Sequence, residues 1–111
     1  MRSVLYIAGP YRGPREWDVT QNIRRAEAAA IECWKKGWMV FCPHKNTAYF
    51  GGILPDHVWL DGDLLILERC DAMLVIEGWE LSEGAQMEYQ KAIDLGMPIY
   101  HSIDEVPDER E

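Results

Sequence analysis

The stretch at residues 72–101, AMLVIEGWELSEGAQMEYQKAIDLGMPIYH, decides the fold prediction because it contains a strand, a helix and a second strand. Its first seven residues, AMLVIEG, are almost continuously apolar, which is typical of a strand covered on both faces. Ser82 is suited to cap a helix that ends at Gly96, and MPIYH follows as a short strand. A helix between two strands indicates a βαβ unit, in which the strands are parallel.

The chain before residue 72 shows the same alternation of strands and helices. The predicted segments are a buried strand at 3–9, a helix from about Trp17 to Lys36 ended by Gly37, a strand at 38–43, an irregular loop at 44–56, and a helix from a capping Asp56 to about Arg69. The acidic segment from about residue 104 is expected to fray. We therefore predict one α/β domain over residues 1–111, with a parallel sheet of four to five strands covered by helices.

Composition and charge exclude several classes of partner. The formal net charge is −8 over 111 residues, which argues against a nucleic acid polymer or an anionic membrane surface as the main partner. The first residues lack the apolar core of a signal peptide, and no apolar run approaches the length of a membrane span. The three cysteines form no CxxC pair, so we expect reduced thiols, no zinc site and a cytoplasmic location.

Two carboxylates fall on the apolar side of successive predicted helices. Glu88 flanks the stripe of the later helix, and Asp63 falls within the stripe of the earlier one. The stripes consist of Ala85, Tyr89, Ala92 and Gly96 in the later helix, and of Leu60, Leu64 and Leu67 in the earlier one. Each acid could simply reach water or a basic partner at the stripe edge, and Glu27 on the first helix has a similar position without an assigned role.

The position of these two acids favours a ligand site. Both come early in helices that follow strands, and such helix starts lie at the carboxyl ends of a parallel sheet, where these folds place ligands. Burial there would raise the pKa of a carboxyl group. Different surroundings would then separate the pair into an acid and a nucleophile.

The loop after the first strand, AGPYRGPR (residues 8–15), reaches the same edge of the sheet. Gly9 and Gly13 permit close backbone approach, and Arg12 and Arg15 are potential donors to an anion. The loop matches neither the GxGxxG nor the GxxxxGK[ST] spacing, so an ordinary turn with solvated arginines remains an alternative. Ser82, at a helix N-terminus, is suited to bind an anion beside Arg12, or only to cap its helix.

Three segments in register resemble the nucleoside 2-deoxyribosyltransferase-like superfamily: YIAGPYRG (6–13), DGDLLILERCDAMLVI (61–76) and SEGAQMEYQKAIDLG (82–96). That superfamily includes deoxyribosyltransferases, 2'-deoxynucleoside 5'-monophosphate N-glycosidases and CMP hydrolases, and the overall pattern is most similar to its small uncharacterised members. The resemblance implies a doubly wound, flavodoxin- or Rossmann-like parallel sheet with helices on both faces. The resemblance implies a homodimer or larger homo-oligomer, and we expect no cofactor and no metal.

The resemblance also assigns roles to residues. Glu88 matches the nucleophilic glutamate of the family, Tyr6 the tyrosine that hydrogen-bonds it, and Asp63 the aspartate that handles the proton on the base, with Asp61 the less favoured choice. The predicted substrate-binding residues are Gly9, Arg12, Gly13, His44, Ser82 and Gly84. Of these, Arg12 and Ser82 match positions that contact a 5'-phosphate, whereas a structural role for His44 is the alternative.

Departures from the family pattern shape the functional prediction. The transferases carry an aspartate in place of Ser82 and extend further at the C-terminus, which favours hydrolysis of a nucleotide or nucleoside over base exchange. The segment CPHKNTAYFGG (42–52) matches neither characterised branch, so the base and the sugar stay open. Two other functions remain: a catalytically silent nucleotide sensor, and an interaction protein that uses its tryptophans (Trp17, Trp34, Trp38, Trp59 and Trp79).

Overall fold

Parallel strands alternate with helices along the chain, as the sequence predicts. The computed structural model describes residues 3–110. Its strands are β1 (Val4–Ala8), β2 (Met39–Phe41), β3 (Ala72–Val75) and β4 (Ile99–Tyr100). Its α-helices are α1 (Glu16–Lys35), α2 (Pro43–Asn46), α3 (Asp56–Leu67) and α4 (Glu83–Asp94), and single 3-10 turns lie at Trp79–Leu81 and Ile103–Glu105. All four strands are parallel in the order β2-β1-β3-β4, which confirms the α/β class with a flavodoxin-like arrangement.

Successive side chains of β1 and β3 enter two different cores, one on each face of the sheet. On one face α1 packs against the sheet, and on the other α3 and α4 do so. The first core includes Leu5, Ile7, Ala72 and Leu74 with Ala26, Ala30 and Cys33, and the second includes Tyr6, Ala8, Met73 and Val75 with Leu67 and Ala92. The central strands are thus covered by helices on both faces.

The strand order places a topological switch between β1 and β3. From β1 the chain crosses to β2 on one side, and the later strands β3 and β4 continue on the other side. In open parallel sheets, ligands bind beyond the carboxyl ends of the strands at such a point, because the loops there diverge and leave a crevice. The loops that follow β1 and β3 flank this crevice.

Two predicted helix starts have different outcomes. Ser82 caps α4 as expected, and its hydroxyl oxygen accepts a hydrogen bond from the backbone N–H of Ala85 at 3.2 Å. The prediction that Asp56 caps α3 is wrong, since Pro55 occupies the cap position and Asp56 is the first helical residue. The carboxylate of Asp56 pairs instead with Arg12, a contact that the local sequence does not reveal.

Two further local expectations are corrected. The predicted loop at 44–56 begins within a short helix, α2, whose first residue Pro43 is suited to that position because it needs no intrahelical N–H bond. The helical period of the first predicted helix places Ile23, Ala26, Ala30, Cys33 and Trp34 on one apolar stripe. The first four are buried in α1 as predicted, but Trp34 is 50% exposed. None of the helices within residues 3–110 is both long and apolar enough to cross a membrane.

The acidic segment from about residue 104, expected to fray, lies against α1 and the turn that follows it, at residues 36–38. Val106 is buried in the core beside α1. The Lys36 ammonium donates to the carbonyls of Ile103 and Val106 at 2.7 and 2.9 Å, and the Trp38 indole donates to the carbonyl of Pro107 at 2.8 Å. One buried valine and these backbone contacts outweigh the acidic composition on which the expectation was based.

Candidate active site

A cavity of about 820 Å³ lies over the carboxyl edge of the sheet at the switch point. Residues from the loops after β1, β2 and β3 and from α1, α3 and α4 line it. All but two of the sequence-predicted site residues are in its wall: Gly9, Arg12, His44, Asp63, Ser82, Gly84 and Glu88. The other two are Tyr6, which lies behind Glu88, and Gly13, which is outside the wall.

Glu88 is a buried carboxylate with a tyrosine as its hydrogen-bond partner. It lies in α4 and is only 6% exposed. The hydroxyl of the fully buried Tyr6, on β1, donates to its Oε2. Within residues 3–110 Glu88 has no basic partner at ion-pair distance. Glu27, by contrast, pairs with Arg24 and Lys45, so the stripe-edge interpretation holds for that glutamate and fails for Glu88.

The pKa of Glu88 is shifted strongly upward. Burial raises it from 4.5 to about 8, the hydrogen bond from Tyr6 opposes this rise, and the negative charge of Asp63 adds to it. The pKa of Tyr6 is also raised, first by burial and then by the charge of Glu88, so the phenol keeps its proton and acts as the donor. The pair therefore positions one carboxyl oxygen in a low-dielectric setting.

Asp63 supplies the second carboxyl group of the cavity. It is half-buried on α3, and burial raises its pKa from 3.8 to about 6. Its charge raises the pKa of Glu88 and of Tyr6, as expected for a carboxylate near both groups. Asp61, the other candidate from the sequence, is exposed and does not line the cavity, so the geometry favours Asp63.

Two glycines of the β1–α1 loop are explained by close packing. A Cβ on Gly9 would lie 2.3 Å from Cγ1 of Ile76, so glycine is needed where the ends of β1 and β3 meet beneath the cavity. A Cβ on Gly13 would lie 2.4 Å from Cβ of Asp18 in the first turn of α1. The close approach at Gly13 therefore serves the start of α1, and its predicted place in the site is not supported by the cavity wall.

His44 combines a structural contact with a position in the wall. It is 4% exposed, and its Nε2 lies 3.0 Å from the carbonyl oxygen of Pro10. A carbonyl only accepts, so Nε2 carries the hydrogen and donates. Burial lowers the pKa of His44, which keeps the ring neutral and makes Nδ1 an acceptor. Among the described residues Nδ1 has no partner, so His44 both anchors the β1–α1 loop and retains one unused acceptor.

Ser82 and Gly84 form the α4 side of the wall. The Ser82 oxygen accepts from Ala85 N–H, and its own hydroxyl hydrogen remains free to donate. A Cβ on Gly84 would meet no atom within 4 Å, so the glycine leaves the backbone at the helix start accessible from the cavity. Positive potential at a helix N-terminus adds to the capacity of this side to hold an anion.

Comparison with models of known protein families gives one match over most of the chain. The model of the family described as Domain of unknown function (DUF7768) matches residues 3–102, which is nearly the whole sequence. The chain belongs to that family. No protein of curated function matches the sequence significantly.

Solved structures show what the DUF7768 chain resembles in three dimensions. A 2-deoxyribosyltransferase from the psychrotolerant bacterium Bacillus psychrosaccharolyticus, described as a biocatalyst for nucleoside synthesis, superposes with a TM-score of 0.66 and 20% identity, over 87% of this chain and 69% of that one. A 2-deoxyribosyltransferase from Leishmania mexicana superposes with a TM-score of 0.63 and 18% identity, over 87% of this chain. This chain spans 61% of the Leishmania protein. The resemblance expected from three sequence segments is thus confirmed as a likeness of fold.

Several wall residues of the DUF7768 chain were missed by sequence analysis. Asn22 and Arg25 come from the middle of α1, Asp56 and Trp59 from α3, and Met87 from α4. Asn22 is buried, and its amide donates to the carbonyls of Tyr11 and Arg12 at 3.0 and 3.4 Å. The sequence signal for Asn22 was a polar residue on the buried face of a helix. Its hydrogen-bond partners could not be predicted, because they come from the folded β1–α1 loop.

Proposed function

We propose that this protein cleaves the N-glycosidic bond of a nucleoside 5'-monophosphate or nucleoside, with hydrolysis favoured over transfer of the deoxyribosyl group. The observation that carries this proposal is the buried pair of Glu88 and Tyr6 beside Asp63 in one cavity at the switch point. Cleavage at C1' passes through an oxocarbenium-like state, and two carboxyl groups with separated pKa values are suited to such a reaction.

The proposed reaction uses the two carboxyl groups in turn. The Glu88 carboxylate attacks C1' while the bond from C1' to the base nitrogen breaks, and that electron pair leaves with the base. Asp63 donates its proton to the departing base. Water then attacks C1' of the glycosyl-enzyme ester, Asp63 takes a proton from that water, and Glu88 is released. Tyr6 is the positioning residue, since its bond to Oε2 orients the carboxylate.

The pKa order in this structure constrains that mechanism. Burial raises the pKa of both carboxyl groups, that of Glu88 to about 8 and that of Asp63 to about 6, so the pair holds one proton near neutral pH. The reactive form, with ionised Glu88 and protonated Asp63, is one tautomer of that state. Positive charge that develops at C1' stabilises ionised Glu88 and draws the proton toward Asp63 and the base.

The substrate preference comes from the α4 side and the β1–α1 loop. In this proposal Arg12, Ser82 and the backbone at Gly84 contact the 5'-phosphate, and Gly9 and His44 line the sugar and base region. A serine hydroxyl that remains free to donate tolerates a phosphate, whereas an aspartate at the same helix start would repel it. This is the physical reason for favouring a nucleotide.

Chromatography of a nucleotide and nucleoside panel incubated with the protein tests the proposed function. We expect release of free base from at least one 2'-deoxynucleoside or ribonucleoside 5'-monophosphate, and no release with the Glu88→Ala variant. Binding of nucleotides without release of base would support a silent sensor instead. No release and no ligand-dependent thermal shift across the panel would contradict the proposal.

We further propose that the protein forms a homodimer or larger homo-oligomer. Leu81 and Met87 both line the cavity, and Leu81 is 91% exposed and Met87 51% exposed. Apolar side chains of that size at the mouth of a site are suited to burial by a second copy. Sedimentation at micromolar concentration should show a species larger than the 12.8 kDa chain, and a monomer at that concentration would contradict this expectation.

A further inference from the structure

The cavity wall carries more acidic than basic charge. Its acidic side chains are Asp56, Asp63, Glu83 and Glu88, and near neutral pH the pair of Asp63 and Glu88 shares one proton. Among the described residues, Arg12 and Arg25 are the arginines or lysines that line it. An anionic ligand would therefore meet unfavourable potential unless a cation in the wall were free to compensate.

Arg12 is not a free cation in this structure. Its Nη2 lies 2.5 Å from Oδ1 of Asp56, which also lines the cavity. This ion pair joins the β1–α1 loop to the first turn of α3, and its two charges largely cancel at a distance. An anion that approaches Arg12 must compete with Asp56.

Arg25 differs from Arg12 in having no acidic partner. No carboxylate of residues 3–110 lies within ion-pair distance of its guanidinium. One of its N–H groups donates to the side-chain oxygen of Asn22, which is 6% exposed. Because the amide of Asn22 also holds the carbonyls of Tyr11 and Arg12, this neutral residue fixes Arg25 against the β1–α1 loop.

The next residue along α1 shows that this arrangement is particular to Arg25. Arg24 has the same charge and lies on an exposed part of the same helix, but it pairs with Glu27 at 3.0 Å and does not line the cavity. A guanidinium has five donors, and Asn22 occupies one of the Nη2 hydrogens of Arg25. The other donors remain available for the paired hydrogen bonds that guanidinium groups form with phosphate oxygens.

We propose that Arg25 binds the anionic group of the ligand and makes the cavity select phosphorylated over unphosphorylated nucleosides. That the ligand is a nucleoside derivative rests on the proposed function. The preference for an anion rests on the unpaired guanidinium in the wall. Asn22 is the positioning residue of this contact, and the ion pair with Asp56 leaves Arg12 the weaker contributor.

Ligand titration of the Glu88→Gln chain tests the proposal without turnover. The probes are the four 2'-deoxynucleoside 5'-monophosphates, the matching nucleosides and inorganic phosphate. In this background Arg25→Ala should weaken monophosphate binding about 10- to 100-fold, as expected for loss of a charge-assisted contact, and change nucleoside binding less than about twofold. Arg25→Lys should retain part of the affinity, and Arg24→Ala should bind like the parent.

Each result discriminates. An unchanged ratio of nucleotide to nucleoside affinity in Arg25→Ala would overturn the proposal, as would an equal loss in Arg24→Ala, which would indicate a general charge effect. Absence of binding by every probe to the parent chain would also overturn it. If nucleotide binding depends on Arg25 but the wild type releases no base, only the proposed hydrolysis is contradicted. If the wild type releases base but binding does not depend on Arg25, only this inference is contradicted. Because Arg25 is exposed, its replacement should leave the fold intact. Thermal unfolding of each variant checks this.

Discussion

Replacing Glu88 by glutamine should reduce base release by at least about 10³-fold, because the amide cannot form the glycosyl ester through which the proposed reaction passes. Glutamine has nearly the same shape and keeps an oxygen that accepts from Tyr6, so the cavity should stay intact. Chromatographic base release under single-turnover and steady-state conditions measures the effect. Glu83→Gln is the matched control, since Glu83 lies in the same helix and lines the cavity but is exposed.

The same substitution should stabilise the fold at alkaline pH. The pKa of Glu88 rises from 4.5, its ordinary value, to about 8 in the folded chain, first because of burial. A carboxyl group with a raised pKa binds its proton more tightly in the folded state, so the wild-type free energy of unfolding falls as pH rises from about 4.5 to about 8. Glutamine does not titrate. The free energy of unfolding of Glu88→Gln should therefore exceed that of the wild type by on the order of 5 kcal/mol above pH 8, and by little near pH 4.5.

Urea unfolding at pH 5 and pH 8.5 measures this difference for the wild type, Glu88→Gln and Glu83→Gln. A stability advantage over the wild type that grows with pH in Glu88→Gln and not in Glu83→Gln would show that the site is maintained at the expense of the fold, as expected for a functional carboxylate. Equal activity in Glu88→Gln and the wild type would refute the nucleophile assignment. A pH-independent difference in stability would refute the buried, protonated state.

Much of the fold could be predicted because its strands and helices carry strong local signals. The apolar runs of β1 and β3 and the cap at Ser82 are visible in the sequence without any tertiary information. Helix α2 was missed because four residues are too few to show a helical period. The place of Val106 was missed for a different reason, since a single buried residue in an acidic segment has no pattern around it.

Some residues of the candidate site could likewise be predicted from the sequence, and others could not. Glu88 and Asp63 could be found because a carboxylate on an apolar helix face conflicts with its neighbours, and both line the cavity. Asn22 and Arg25 could not be found in this way. Asn22 contacts backbone carbonyls of the β1–α1 loop and the side chain of Arg25, and these groups come together only when the loop folds onto α1. Gly13 was assigned to the site because it permits close backbone approach, and in the structure that close approach is to Asp18 at the start of α1.

Replacing Asp63 by asparagine should lower the release of natural bases by about 10²- to 10⁴-fold, the usual contribution of a general acid. The loss should be much smaller for a deoxyriboside whose leaving group is an acidic nitrophenol, because such a group departs without a proton. Asp61→Asn is the matched control, two residues away on the exposed side of α3. Base release from both substrates, measured for both variants, separates proton donation from positioning.

The pH dependence gives an independent test of Asp63. In the wild type, kcat/KM should be bell-shaped with limbs near 6 and 8, and these two values belong to the pair of Asp63 and Glu88 as a unit. In Asp63→Asn the alkaline limb should vanish, because asparagine carries no titrating proton whose loss could slow the reaction. The rise on the acidic side should then report Glu88 alone, at a pH below about 8, because the negative charge of Asp63 no longer raises its pKa. An alkaline limb that persists in Asp63→Asn, or a loss that appears in Asp61→Asn instead, would assign the proton to another group.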